Sequence, residues 1–208
     1  MMSKTSLPQL GSDGRILEAI VTTSNKDGTI NIAPMGPLVD DGLERLVLRP
    51  FRTSTTYKNL IRTSQGVLHI TDDVLLFAKA AIGTIKPIPE FLESDPMVLA
   101  AACRWLKFEI VSVDDSAERS IVVGHTTKRG HIREFFGFNR AKHAVLEAAI
   151  LATRIHILDA KLLLSELDRL ASPIQKTGGA DELQAFALLQ SFVHQELAVP
   201  FESEILPR

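Results

Sequence analysis

Arg52-Thr53-Ser54-Thr55-Thr56 places a permanently charged, fork-shaped donor and four hydroxyls in five consecutive residues. The spacing of Tyr57, Leu60 and Ile61 behind them predicts a two-turn helix with a hydroxyl cap. A helix start carries backbone N–H groups without intrahelical partners at the positive end of its dipole, so this run suits an anion, a phosphate above all. The surrounding stretch agrees: residues 46–71 hold Arg49, Arg52, Lys58 and Arg62 and no carboxylate, in a chain of 208 residues with a net charge of −2. The same features describe a hydroxyl-capped helix on a solvated basic face, and the residues alone leave both readings open.

A second chemical feature is the strand end Thr29-Ile30-Asn31-Ile32-Ala33-Pro34-Met35-Gly36. Pro34 removes a ladder donor and Gly36 a side chain, so pairing stops and backbone N–H and C=O groups are exposed beside small apolar residues. Such groups can bond the edge of a flat heteroaromatic ring; a plain edge strand ending in a turn fits the pattern as well. A third feature is basic: Arg119, Lys128, Arg129, Arg133 and Arg140 face only Glu134 within residues 119–142, interleaved with His125, His131, Phe135, Phe136 and Phe138. Aromatics among cations can stack on bases or on a ring cofactor, or the phenylalanines can pack inward from a solvated basic hairpin.

Other chemistries lack support in the residues. The six histidines supply no pair four apart with a third ligand and no facial triad, so a metal site is not expected. Cys103 follows the apolar Val98-Leu99-Ala100-Ala101-Ala102 and reads as buried and inert. No nucleophile elbow, P-loop or dinucleotide fingerprint occurs. Asp40-Asp41, Asp72-Asp73 and Asp114-Asp115 fall at expected turns or caps.

The elements that must position these groups follow from periodicity. Residues 16–35 alternate around Asn25-Lys26-Asp27-Gly28, a hairpin signal, and further strands are expected over 43–49, 66–71, 106–110 and 120–127. Asp72 and Asp73 cap a short apolar helix through Ala80, and residues 86–96, rich in proline, read as an excursion in the manner of a flap. After Asn139 the period changes to about 3.6, with further helices over 161–171 and 182–197 opened by Asp159 and Asp181 and separated by Pro173 and Gly178-Gly179. Strands first and helices last predict an α+β protein: an antiparallel barrel of about six strands over residues 1–138 and a mainly helical C-terminal region over 139–208.

Hydrophobic residues make up 45% of the chain, enough for a sizeable core, which excludes general disorder. No apolar run approaches bilayer length, residues 1–14 do not read as a signal peptide, and a single cysteine fits a reducing compartment, so a cytoplasmic location is expected. The overall acidity argues against a nucleic-acid binder, leaving only the face from Arg119 to Arg140 for that role.

Asn31-Ile32-Ala33-Pro34-Met35-Gly36, followed by Arg49-Pro50-Phe51-Arg52-Thr53-Ser54-Thr55-Thr56-Tyr57-Lys58-Asn59-Leu60, resembles the FMN-binding split-barrel superfamily of flavin reductases and pyridoxamine-phosphate-oxidase-like proteins. Phe138-Asn139-Arg140-Ala141, with the following Ala144-Val145-Leu146-Glu147-Ala148 and Ala152-Thr153-Arg154, is similar to the uncharacterised family called domain of unknown function 447, over residues 16–158. The resemblance implies a split barrel with a helical C-terminal part, FMN as cofactor and a homodimer with FMN near the subunit interface. It implies that Asn31, Ala33 and Met35 line the isoalloxazine, that Arg52, Thr53, Thr55 and Thr56 hold the phosphate with Asn59 beside them, and that Asn139 and Arg140 complete a site in one subunit or the other. Val123-Gly124-His125-Thr126 is similar to the Gly-Asp-His motif of flavin reductases but lacks the aspartate, which argues against nicotinamide-dependent flavin reduction. The function so implied is that of an FMN-dependent oxidoreductase of unknown substrate. A non-catalytic carrier of flavin, or of another phosphorylated or pterin-like ligand, is the alternative.

Overall fold

The computed structural model describes residues 7–198 and divides into two compact units. The first takes the described residues up to Thr71 together with Pro89–Phe135; the second takes Asp72–Ile88 and the described residues from Phe136 onward.

In the first unit β1 (Gly14–Ile16), β2 (Ala19–Ser24), β3 (Ile30–Met35), β4 (Leu38–Asp40) and β5 (Arg45–Leu48) precede α1 (Thr55–Thr63) and β6 (Gln65–Ile70). After the excursion of the chain into the second unit come β7 (Phe91–Leu92), β8 (Asp95–Leu99), β9 (Arg104–Asp114) and β10 (Ile121–His131). Eight of these strands form one antiparallel sheet in the order β1-β4-β5-β10-β9-β6-β2-β3. Ala19 and Val21 of β2, Leu46 and Leu48 of β5, Leu68 of β6, Leu106 and Phe108 of β9 and Val122 of β10 meet in a single buried cluster with Leu60 of α1. Inward faces of distant strands reach one cluster only if the sheet curls on itself, and because β1 and β3 are the ends of the strand order and do not pair with each other the barrel is split.

The expected α+β split barrel is therefore present, with eight sheet strands rather than about six. The additions, β1 and β4, are three residues each and too short for alternation to register. The expected β2–β3 hairpin closes through Asn25 N–H to Thr29 O at 2.8 Å, with Gly28 at φ +86°. The proline-rich excursion ends in the two-stranded β7–β8 pair, which packs Val98 and Met97 against Val67 and Trp105.

His69 fastens that pair to the barrel. It is fully buried on β6; Nε2 accepts the Leu99 N–H at 3.1 Å, which leaves Nδ1 to donate to Ile20 O at 3.2 Å. Burial pushes its pKa down from 6.5 to about 4. Between those values the unfolded chain binds a proton that the folded one does not, so stability rises with pH there. A contribution of about 3 kcal/mol, present above pH 6.5, is expected to drain away as pH falls toward about 4. Thermal unfolding across this interval checks it: the fall should be markedly shallower in His69→Gln, and equal slopes in variant and wild type would count against it.

The second unit holds α2 (Val74–Ala81), α3 (Arg140–Ala152), α4 (Ala160–Thr177) and α5 (Ala180–Glu196). Asp73, Asn139 and Asp159 cap the first three through side-chain oxygens, as their positions predict. Two boundaries differ. Pro173 does not end the third helix, because Leu163, Leu167 and Ile174 bury one stripe on both sides of it, and Thr177 Oγ1 donates to Pro173 O at 2.8 Å. The fourth starts at Ala180 rather than after Asp181, with the Gly179 N–H bonded to the Glu182 carboxylate at 2.7 Å. By compactness the chain changes unit after Phe135, and residues 72–88 group with the helices because α2 packs its apolar side on α3 and α5.

Candidate functional site

The site builds from α1 and the edge strand β3, both in the first unit. Ser54 is the N-cap of α1: its hydroxyl accepts the Tyr57 N–H at 3.2 Å and its carbonyl the Lys58 N–H at 3.1 Å. The N–H groups of Thr55 and Thr56, the first two helical residues, have no acceptor within the helix. Arg52, Thr53 and Thr55 are exposed around them, so charge, hydroxyls and backbone donors gather at one helix end. Tyr57 extends the group: its hydroxyl donates to Asp115 Oδ2 at 3.0 Å, and its pKa is raised by partial burial and by Asp115, with Arg52 pulling the other way.

Thr56 turns inward and is only 3% exposed. Its Oγ1 accepts Asn31 Nδ2 at 3.0 Å, which joins the phosphate-type turn directly to the strand read as a ring platform. Asn31 Nδ2 also reaches Thr23 Oγ1 at 3.2 Å, and Asn59 Nδ2 donates to Thr23 Oγ1 at 3.1 Å and to Asn25 Oδ1 at 2.7 Å. Four strand and helix residues and the hairpin turn thus share one polar network behind the site. Asn59, 5% exposed, uses both amide hydrogens inside it and so sits beneath the helix end rather than on it. The Asn31 Oδ1 has no hydrogen-bond partner among the described residues. Ala33 and Met35 follow on the same side of β3, half-buried, with Met35 packed against the barrel core.

Residue order does not place two contributors at this site. Thr23 sits at the centre of the network, yet in sequence it is one alternating threonine among others. Arg119 arrives through long-range pairing: Phe51 bridges Arg119, Arg52 N–H bonds to Glu118 O at 3.1 Å, and the Arg119 guanidinium lies 4.2 Å from the Phe51 ring centre. In sequence Arg119 is one cation of the basic stretch, and no short-range signal joins either residue to the turn at 52–56.

The rest of the basic stretch is engaged elsewhere. Lys128 lies over the Trp105 ring, Arg129 pairs with Glu44, Arg133 donates to Ala101 O, and His131 meets Glu134 at 3.3 Å. His125 lies on β10 between Arg45 and Glu109 in the cross-strand register. Phe135, Phe136 and Phe138 are exposed rather than packed inward. Asn139 and Arg140 belong to the second unit: Asn139 Oδ1 accepts the N–H groups of Ala141 and Lys142 and its Nδ2 donates to Thr177 O, while Arg140 is exposed at the start of α3. Cys103 is fully buried. Among the described residues no helix is long and apolar enough to cross a membrane.

Two family models match the chain, the N-terminal domain of the protein family of unknown function DUF447 over residues 17–133 and a second DUF447 model over residues 139–191. Among solved structures, the FMN-bound DUF447 protein of Methanosarcina mazei is similar with a TM-score of 0.73 at 26% identity, over 85% of this chain and 94% of that one. The styrene monooxygenase flavin reductase of Pseudomonas putida S12 has a TM-score of 0.46 at 11% identity, over 55% of this chain and 80% of its own. An FMN-binding protein of Thermus thermophilus has a TM-score of 0.45 at 11% identity, over 63% and 79%. No curated protein matches.

Proposed function

The chain belongs to the DUF447 family, and we propose that it is an FMN-binding flavoprotein that works as an oxidoreductase. The observation that carries this reading is the Asn31–Thr56 hydrogen bond, which sets a cationic, hydroxyl-rich helix start against a strand edge left unpaired among the described residues. A phosphate and a flat ring belonging to one molecule need those two surfaces side by side. The likeness over most of both chains to a family member that holds FMN supports it.

The residues fit the group. Arg52 and the hydroxyls of Thr53 and Thr55 would take the phosphate together with the free N–H groups of α1, because each is a donor and none brings a negative charge, while the buried Thr56 would contribute its N–H and hold the turn to Asn31. Asn31 would accept a hydrogen bond from the ring edge at its unpartnered Oδ1, with Ala33 and Met35 as an apolar wall. FMN when bound supplies one- and two-electron chemistry; the chain fixes its position and polarity.

Absorbance of the purified protein after addition of FMN and removal of the unbound excess tests the reading, and protein that stays colourless would end it. Arg52→Ala is expected to weaken FMN binding about 10- to 100-fold, the range for one charge-assisted phosphate contact. Thr56→Ala should weaken it as well, since it also frees Asn31. Anaerobic exposure to a panel of electron donors and acceptors tests the oxidoreductase part. Failure of all of them with FMN bound would leave a carrier.

A further inference from the structure

We propose that Arg119 is a second guanidinium of the phosphate site and sets its preference for a phosphate monoester over the corresponding alcohol. The inference rests on the FMN reading above and adds a residue that no motif supplied. It begins with the way the segment before β10 is fixed. Ser120, fully buried, donates both N–H and Oγ to Pro50 O, at 3.1 and 3.0 Å. Phe51 and Arg119 form an antiparallel bridge, and Arg52 N–H closes the next bond to Glu118 O at 3.1 Å. Residues 118–120 therefore run as a short partner strand beside residues 50–52, and Arg119 stands directly across from the residue that precedes Arg52.

The side chain has a contact of its own. The Arg119 guanidinium stacks over the Phe51 ring with Cζ 4.2 Å from its centre, which orients the planar fork while leaving its edge open. No hydrogen bond or ion pair occupies its N–H groups among the described residues. Neither Asp115, which accepts the Tyr57 hydroxyl, nor Glu118 forms an ion pair with it among the described residues. An exposed arginine that is preoriented, unpaired and one cross-strand step from a phosphate turn is a recognition element. Two guanidiniums match the double charge of a monoester, whereas the alcohol offers them nothing.

Binding of FMN and of riboflavin to wild type, Arg119→Ala, Arg119→Lys and Phe51→Ala, measured by fluorescence quenching at two salt concentrations, tests this. Arg119→Ala should weaken FMN about tenfold, leave riboflavin unchanged and flatten the salt dependence for FMN. Arg119→Lys and Phe51→Ala should fall between, because lysine keeps the charge without the fork and the phenylalanine variant keeps the fork without its support. FMN bound equally by wild type and Arg119→Ala, or FMN and riboflavin weakened together, overturns the inference while the flavoprotein reading stands. Absence of FMN binding by the wild type overturns both.

Discussion

Phe108→Ala is expected to lower the stability of the barrel unit by about 3–5 kcal/mol and to weaken flavin retention with it. Phe108 is fully buried and is the largest of the side chains so enclosed. Its ring fills space that the neighbouring strands leave by having no side chain: a Cβ at Gly66 would lie 2.6 Å from Phe108 Cζ, and one at Gly124 would lie 3.0 Å from Cδ2. The glycines on both flanks carry no side chain that could fill the void, so the cost should reach this range unless Leu46 and Leu60 move in. The same Gly66 Cβ would lie 3.3 Å from Leu60 Cδ2, so the ring also supports the buried side of α1. Loosening Leu60 loosens its neighbour Asn59 and Thr56 one turn earlier, and with them the contacts to Asn31 and Thr23. Denaturant unfolding gives the stability and FMN titration the retention. A loss under 1 kcal/mol would mean that the core collapses around the gap and that the glycines do not confine it.

What could be read from the chain order was local. Asn25-Lys26-Asp27-Gly28 announces the β2–β3 hairpin because turn and register are settled within a few residues, and Ser54 announces α1 because a cap bonds only three residues ahead. What escaped depends on contacts far apart in sequence. The apolar residues of α2 look the same whether they cover the barrel or pack on α3 and α5; the structure groups them with the helices. Pro173 reads as a break because its missing N–H is a local loss, while the burial of Leu167 and Ile174 that carries the helix past it is not local. The site divides in the same way. The donors at 52–56 were legible, but Thr23 and Arg119 join them only through the β2–β3 pairing and the bridge to Phe51.

Lys142→Met is expected to cost the helical unit about 3–5 kcal/mol, for a reason opposite to that of Phe108: it strands a charge instead of opening a void. Lys142 Nζ donates to Glu182 Oε1 at 2.8 Å and to Asp72 O at 2.8 Å, tying α3 to the start of α5 and to the turn before α2. The Glu182 side chain is only 9% exposed, and its second oxygen accepts the Gly179 N–H at 2.7 Å. Burial by itself would raise the Glu182 pKa, but Lys142 and the Gly179 N–H outweigh it and hold the group below 4.5. The folded unit thus gains from the ionised carboxylate above pH 4.5 and loses that gain as pH falls through the depressed folded value. Without Lys142 the backbone N–H groups alone oppose burial, so the folded pKa should rise, and protonation should relieve the variant as the solution is acidified. The stability gap between wild type and Lys142→Met should therefore be widest near neutrality and shrink toward pH 4, and Lys142→Met with Glu182→Leu should recover part of the loss at pH 7. A gap that stays constant with pH would show that Lys142 contributes packing along its stem rather than charge compensation.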